Sequence, residues 1–158
     1  MEFNKISKEI TDLINEWEPV LANLPEEVFT NRKNSQNRTI KQIVGHLADS
    51  ASNNTHRIVH LQYQPTPFTF PNYASMGNND RWIAIQNYQN EKWELLIQFW
   101  KYSMLHICHV IENVNPDKLD HEWIAGPGRN FTLAALITDF IRHLKLHLSE
   151  IDELINKN

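Results

Sequence analysis

The 158-residue chain sets 15 lysines and arginines against 19 acidic residues, a net charge of −4 with no face that gathers basic side chains, which argues against a nucleic-acid partner. Charged residues interrupt the first 17 positions and no run of about 18 apolar residues occurs, so no leader and no membrane span are expected and the protein is read as cytoplasmic. A single cysteine, Cys108, excludes an internal disulfide and a Cys-based zinc site within one chain, while only 4 glycines and 41% hydrophobic residues favour one helical domain over residues 1–158.

Residues 5–23 place Ile6, Ile10, Leu13, Ile14, Trp17, Val20 and Leu21 three and four apart, one face of an amphipathic helix that Pro25 ends or follows. A second helix opens at Thr39-Ile40-Lys41-Gln42, where the Thr hydroxyl and the Gln side chain can satisfy each other's orphan backbone donors. Its stripe runs Ile40, Ile43, Val44, Leu47, Ala51, Ile58 and Leu61. From Tyr63 to Asn79, three prolines and a glycine without sustained period indicate a long surface connection, packed down by Phe68, Phe70 and Tyr73.

A third helical region spans about Asp80 to Val114, with a break expected near Asn87 to Asn90. Residues 115–131 contain Gly126-Pro127-Gly128 and read as a second long connection holding a short extended hairpin. Thr132 is placed as the N-cap of a last helix that reaches about Asn156. The expected fold is all-α, a four-helix bundle whose long connections allow departures from up-down-up-down order. Cys108, between apolar neighbours, reads as a buried and inert thiol.

Eight histidines are present, and His143 and His147 share one face of the last helix at a spacing that can chelate a metal. Chance placement alone predicts roughly 0.4 such pairs, and His56 and His60 form another, so spacing does not choose between them. Context does, because Leu133, Leu136, Phe140, His143, His147, Ile151 and Leu154 form one core-facing stripe. Two imidazoles turned toward a core need either hydrogen-bond partners or a metal. The first alternative is a pair of core histidines bonded to carbonyls or acids. The second gains from His46, at the edge of the second helix's stripe, which can supply a third nitrogen.

Three imidazoles leave a position open for water or substrate, as in catalytic zinc sites; zinc is the default, and Ni, Fe or Mn also accept imidazole. The residue after His143 is Leu144, where a zinc protease would carry its Glu base. Asp139, four before His143, and Asp49, three after His46, each share a helical face with one of these histidines and can accept an imidazole N–H. His56, His60, His106 and His109 are taken as structural or surface residues.

The stretch from Thr39 to Ser50, followed by Asn53-Asn54 and Arg57, and the stretch Asp139 to His147 together resemble the DinB/YfiT-like superfamily. Trp82, Asn87-Tyr88 and the turn at Gly126 extend the resemblance to most of the chain from about Thr39 to Ile155. The resemblance implies a four-helix bundle with a metal site at His46, His143 and His147, and a homodimer fits the family; no residue is assigned to binding an organic cofactor. It also implies a metal-dependent enzyme acting on a small molecule, a thiol S-transferase using a low-molecular-weight thiol or a hydrolase, with a non-catalytic metal- or ligand-binding bundle as the alternative. For a hydrolase, Asp49 is the candidate acid. Thr55 and His56 depart from one branch of the family, in which a histidine comes one position earlier, leaving substrate contacts on the second helix open.

Overall fold

The computed structural model describes residues 2–157. Its long helices are α1 (Glu2–Ala22), α3 (Ile40–Leu61), α5 (Trp93–Glu112) and α6 (Leu133–Ile155), with the shorter α2 (Glu26–Asn31) and α4 (Asn78–Gln86) between them. The expected capping box is formed: Thr39 Oγ1 accepts from Gln42 N–H at 3.3 Å and Gln42 Oε1 accepts from Thr39 N–H at 2.9 Å. Thr132 caps α6 by accepting from Ala135 N–H.

The apolar stripes close on one core. Trp100, Met104 and Ile107 of α5 are sealed from solvent against Ile10 and Ile14 of α1, Ile43 and Leu47 of α3, and Leu144 and Ile151 of α6. Each such side chain contributes about 1.5–3 kcal/mol by leaving water. The packed pairs are α1 with α5, α3 with α5, α3 with α6 and α1 with α6. The ring therefore runs α1–α5–α3–α6, so that α3 and α5 are neighbours while α1 and α3, and α5 and α6, lie across the bundle from each other. Only long connections allow that order. Cys108 is buried, and burial pushes its thiol up to about 11, so it stays protonated and unreactive at neutral pH.

One expectation needs correction. The fold is mostly helical but not strictly all-α, because strands β1 (Phe68–Thr69), β2 (Glu122–Gly126) and β3 (Arg129–Thr132) form one sheet in the order β1-β2-β3. The β2–β3 hairpin was expected; the parallel pairing of Phe68 with Trp123 and Thr69 with Ile124 was not. It ties the connection after α3 to the one before α6, and Phe68 and Phe70 pack against the core as expected of residues 63–79. The third helical region breaks where expected, into α4, a 3-10 turn at Tyr88–Asn90 and α5, with Asn87 in a left-handed conformation (φ 54°) at the break. No helix among the described residues is long and apolar enough to cross a membrane.

Candidate metal centre

His46 on α3 and His143 and His147 on α6 meet between those two helices. The Nε2 atom of His143 lies 3.2 Å from that of His46 and 3.1 Å from that of His147. The rings stand edge-on to one another, at 65°, 82° and 76°, so that a corner of each points to one centre. One nitrogen from each ring lies within 4.8 Å of the others, a grouping able to hold a metal ion. The separations fit such an ion, since ligands about 2.1 Å from a common centre stand about 3.0 Å apart in octahedral and about 3.4 Å apart in tetrahedral arrangement.

The outer nitrogens are held from behind. His147 Nδ1 lies 2.8 Å from Glu150 Oε2, and a carboxylate only accepts, so the proton sits on Nδ1 and the Nε2 lone pair faces the centre. His46 Nδ1 lies 3.1 Å from Tyr73 Oη, whose hydroxyl can donate to the His46 carbonyl at 3.4 Å and accept the imidazole N–H. His143 Nδ1 lies 3.4 Å from Ser50 Oγ, itself an acceptor for Asn54 Nδ2. Burial, followed by the neighbouring imidazoles, pushes His46 down to about 2 and His143 down to about 4. Both are neutral at pH 7, the form that ligates.

The three histidines singled out from the sequence do come together, but their surroundings differ from those expected. Asp139 accepts from Arg142 Nε at 2.6 Å on the exposed side of α6, and the partner expected of it for His143 is Ser50 instead. Asp49 is not hydrogen-bonded to a histidine and does not line their cavity. A step of three residues turns about 60° one way around a helix from His46, and a step of four turns about 40° the other. Asp49 thus falls under α4 and the following turn, where its Oδ1 accepts from Tyr88 Oη at 2.6 Å and Gln86 Nε2 at 2.8 Å. Ser50 falls on the cavity side. Burial raises the Asp49 pKa against those two bonds, and its Oδ2 has no partner among the described residues.

Glu150 was within reach of sequence reasoning, three residues after His147 on one face. Tyr73 was not, because an aperiodic loop delivers it. His56, His106 and His109 are exposed and His60 half-buried, none of them at the centre.

A cavity of about 380 Å³ opens on the three imidazoles. Trp123 and Phe131 of the sheet and Leu136 and Phe140 of α6 form its apolar walls, while Arg38, Asn54 and Arg57 supply polar groups. That mixture suits a small organic molecule.

No curated protein matches the sequence at a significant level. Among solved structures, YfiT from Bacillus subtilis, described as a probable metal-dependent hydrolase with an unusual four-helix bundle topology, superposes with a TM-score of 0.79 at 13% identity, covering 97% of this chain and 83% of that one. A mycothiol-dependent maleylpyruvate isomerase superposes with a TM-score of 0.75 at 15% identity, covering 95% of this chain. This chain spans 59% of the isomerase's length. At these identities the likeness establishes the fold alone. The family pattern that matches residues 9–151 goes further, and by it the chain belongs to the DinB superfamily.

Proposed function

We propose that His46, His143 and His147 hold one divalent ion, zinc by default with Ni, Fe or Mn able to replace it, and that the protein is a metal-dependent enzyme for a small molecule. The observation that carries this reading is the convergence of three Nε2 atoms whose Nδ1 atoms are each engaged from behind. When bound, such an ion supplies Lewis acidity that lowers the pKa of a thiol or water reaching it. The chain's own part is to orient the imidazoles through Tyr73, Ser50 and Glu150 and to exclude water with Trp123, Phe131 and Phe140.

Thiol S-transfer is placed ahead of hydrolysis. Of the acids lining the cavity, Asp139 already holds Arg142 on Oδ1, and Glu150 holds His147 and Asn34 on Oε2, so neither is an uncommitted base. A thiol needs less help, because its own pKa lies nearer neutrality. Likeness to a mycothiol-dependent isomerase and to a probable metal-dependent hydrolase supports this pair of reactions. All three imidazoles come from one chain, so the proposed site needs no second copy.

Untagged protein is expected to contain about one divalent ion per chain by elemental analysis. It is also expected to conjugate a low-molecular-weight thiol to an activated aryl halide, with activity lost on chelation and restored by one of the four metals. Full occupancy without turnover of thiol adducts or activated esters would favour the non-catalytic bundle, and failure to take up any metal would sink the ligand assignment.

Glu150→Ala leaves the His147 Nδ1–H without its acceptor and frees the ring to turn. Metal affinity is expected to fall roughly 10–100-fold, read by competition with a chromophoric chelator, with the helical circular dichroism unchanged. Wild-type affinity in this variant would mean that Glu150 does not orient the ligand.

A further inference from the structure

Arg57 is a buried cation without a counter-ion among the described residues. It lies on α3 eleven residues beyond His46, about three turns along the same helical face, and borders the cavity onto which the imidazoles open. Only 5% of it is exposed. Its guanidinium carbon lies 4.1 Å from the Trp123 ring centre, and Nη1 donates to Asn54 Oδ1 at 3.2 Å. Among the described residues no carboxylate lies within ion-pair distance of it. Arg38, equally buried on the same cavity, has both Nε and Nη2 on Asp80 Oδ1.

Taking a guanidinium out of water without an anion is costly, and the indole face offsets only part of that cost. Burial lowers Arg57 to about 10, which still leaves it charged at neutral pH. The ring covers one face of the group. Its unbonded N–H groups remain at the edge, in the plane, where a carboxylate can meet them fork to fork.

We infer that Arg57 anchors a carboxylate of the substrate, so that the site takes small organic acids whose apolar body lies against Trp123 and Phe131. The consequence that the reacting atom then sits at the three imidazoles rests on the metal-site reading above; the anchor itself does not.

The test is calorimetric titration with benzoate, its neutral isostere benzamide, and phenylphosphonate. It uses protein as purified and after chelation, for wild type, Arg57→Lys, Arg57→Gln and Arg57→Met, with metal content measured on each preparation. Wild type is expected to bind benzoate roughly tenfold or more tightly than benzamide. Arg57→Gln and Arg57→Met should erase that preference, Arg57→Lys should keep part of it, and metal content should not change. Equal binding of benzoate and benzamide by wild type, a preference that survives both neutral substitutions, or tighter binding of phenylphosphonate than of benzoate would overturn the inference. An Arg57-dependent preference in protein that takes up no metal upholds the anchor while sinking the metal reading, and full metal content with no preference does the reverse.

Discussion

Chelation is expected to lower the melting temperature of the wild-type protein by roughly 10 °C, and His143→Ala is expected to abolish that shift. His143 is the central member of the cluster, with Nε2 contacts of 3.2 and 3.1 Å to the other two rings. Burial and the neighbouring rings keep His46 and His143 neutral, so without an ion their lone pairs converge on one another. An ion bound only by the folded chain stabilises it by about 4 kcal/mol when its free concentration is a thousand times the Kd. At about 2–4 °C per kcal/mol for a chain of this size, that is a shift of order 10 °C. The alanine variant loses the ion and with it the crowding of lone pairs, so it should melt within about 1 kcal/mol of chelated wild type. Scanning calorimetry with and without chelator decides the matter. The same chelator-induced drop in His143→Ala would place the stabilising ion elsewhere, and no drop in wild type would mean that no ion contributes to the fold.

What could be read from sequence follows from which signals are local. The four long helices announce themselves because apolar spacing of three and four is a property of the segment alone, and the Thr39 and Thr132 caps are equally local. The sheet is not. The two residues of β1 carry no period, and their pairing partners at Trp123 and Ile124 are more than fifty positions away. α2 has six residues, too few to show an amphipathic face.

The same distinction runs through the site. His143 and His147 are visible as a pair on one stripe, and His46 as an inward edge. For the groups behind them, helix geometry permits partners three or four residues away in either direction, so Asp139 and Glu150 are equally legible candidates. The structure separates them through Arg142, which engages Asp139, and Asn34, which reaches Glu150 from the far end of the chain. Asp49 failed for a related reason: sharing a face with His46 did not reveal that α4 covers that side. Arg57 was legible only as part of a family resemblance, because the absence of an acid around it is a fact of tertiary packing.

Gly45→Ala is expected to destabilise the protein by roughly 2–3 kcal/mol, although in an ordinary helix interior the same change stabilises by about 0.5–1 kcal/mol. Gly45 sits inside α3, one residue before His46, and the Tyr88 ring lies directly on its Cα. A Cβ built there would fall no farther than 2.7 Å from three atoms of that ring, so the ring must move. Tyr88 is 4% exposed and its hydroxyl donates to Asp49 Oδ1, so moving it strips a hydrogen bond from a buried carboxylate that already has one unpartnered oxygen. Overpacking and a weakened bond to a charged group both act against the small gain in helix propensity. Denaturant unfolding of Gly45→Ala, Tyr88→Leu and the double variant tests the origin of the effect. With the ring gone, adding the methyl group at position 45 should become neutral or stabilising, giving a coupling energy of about 2 kcal/mol or more across the cycle. A Gly45→Ala protein as stable as wild type would show that Tyr88 does not rest on that helix, and with it that Asp49 is not held in the way described.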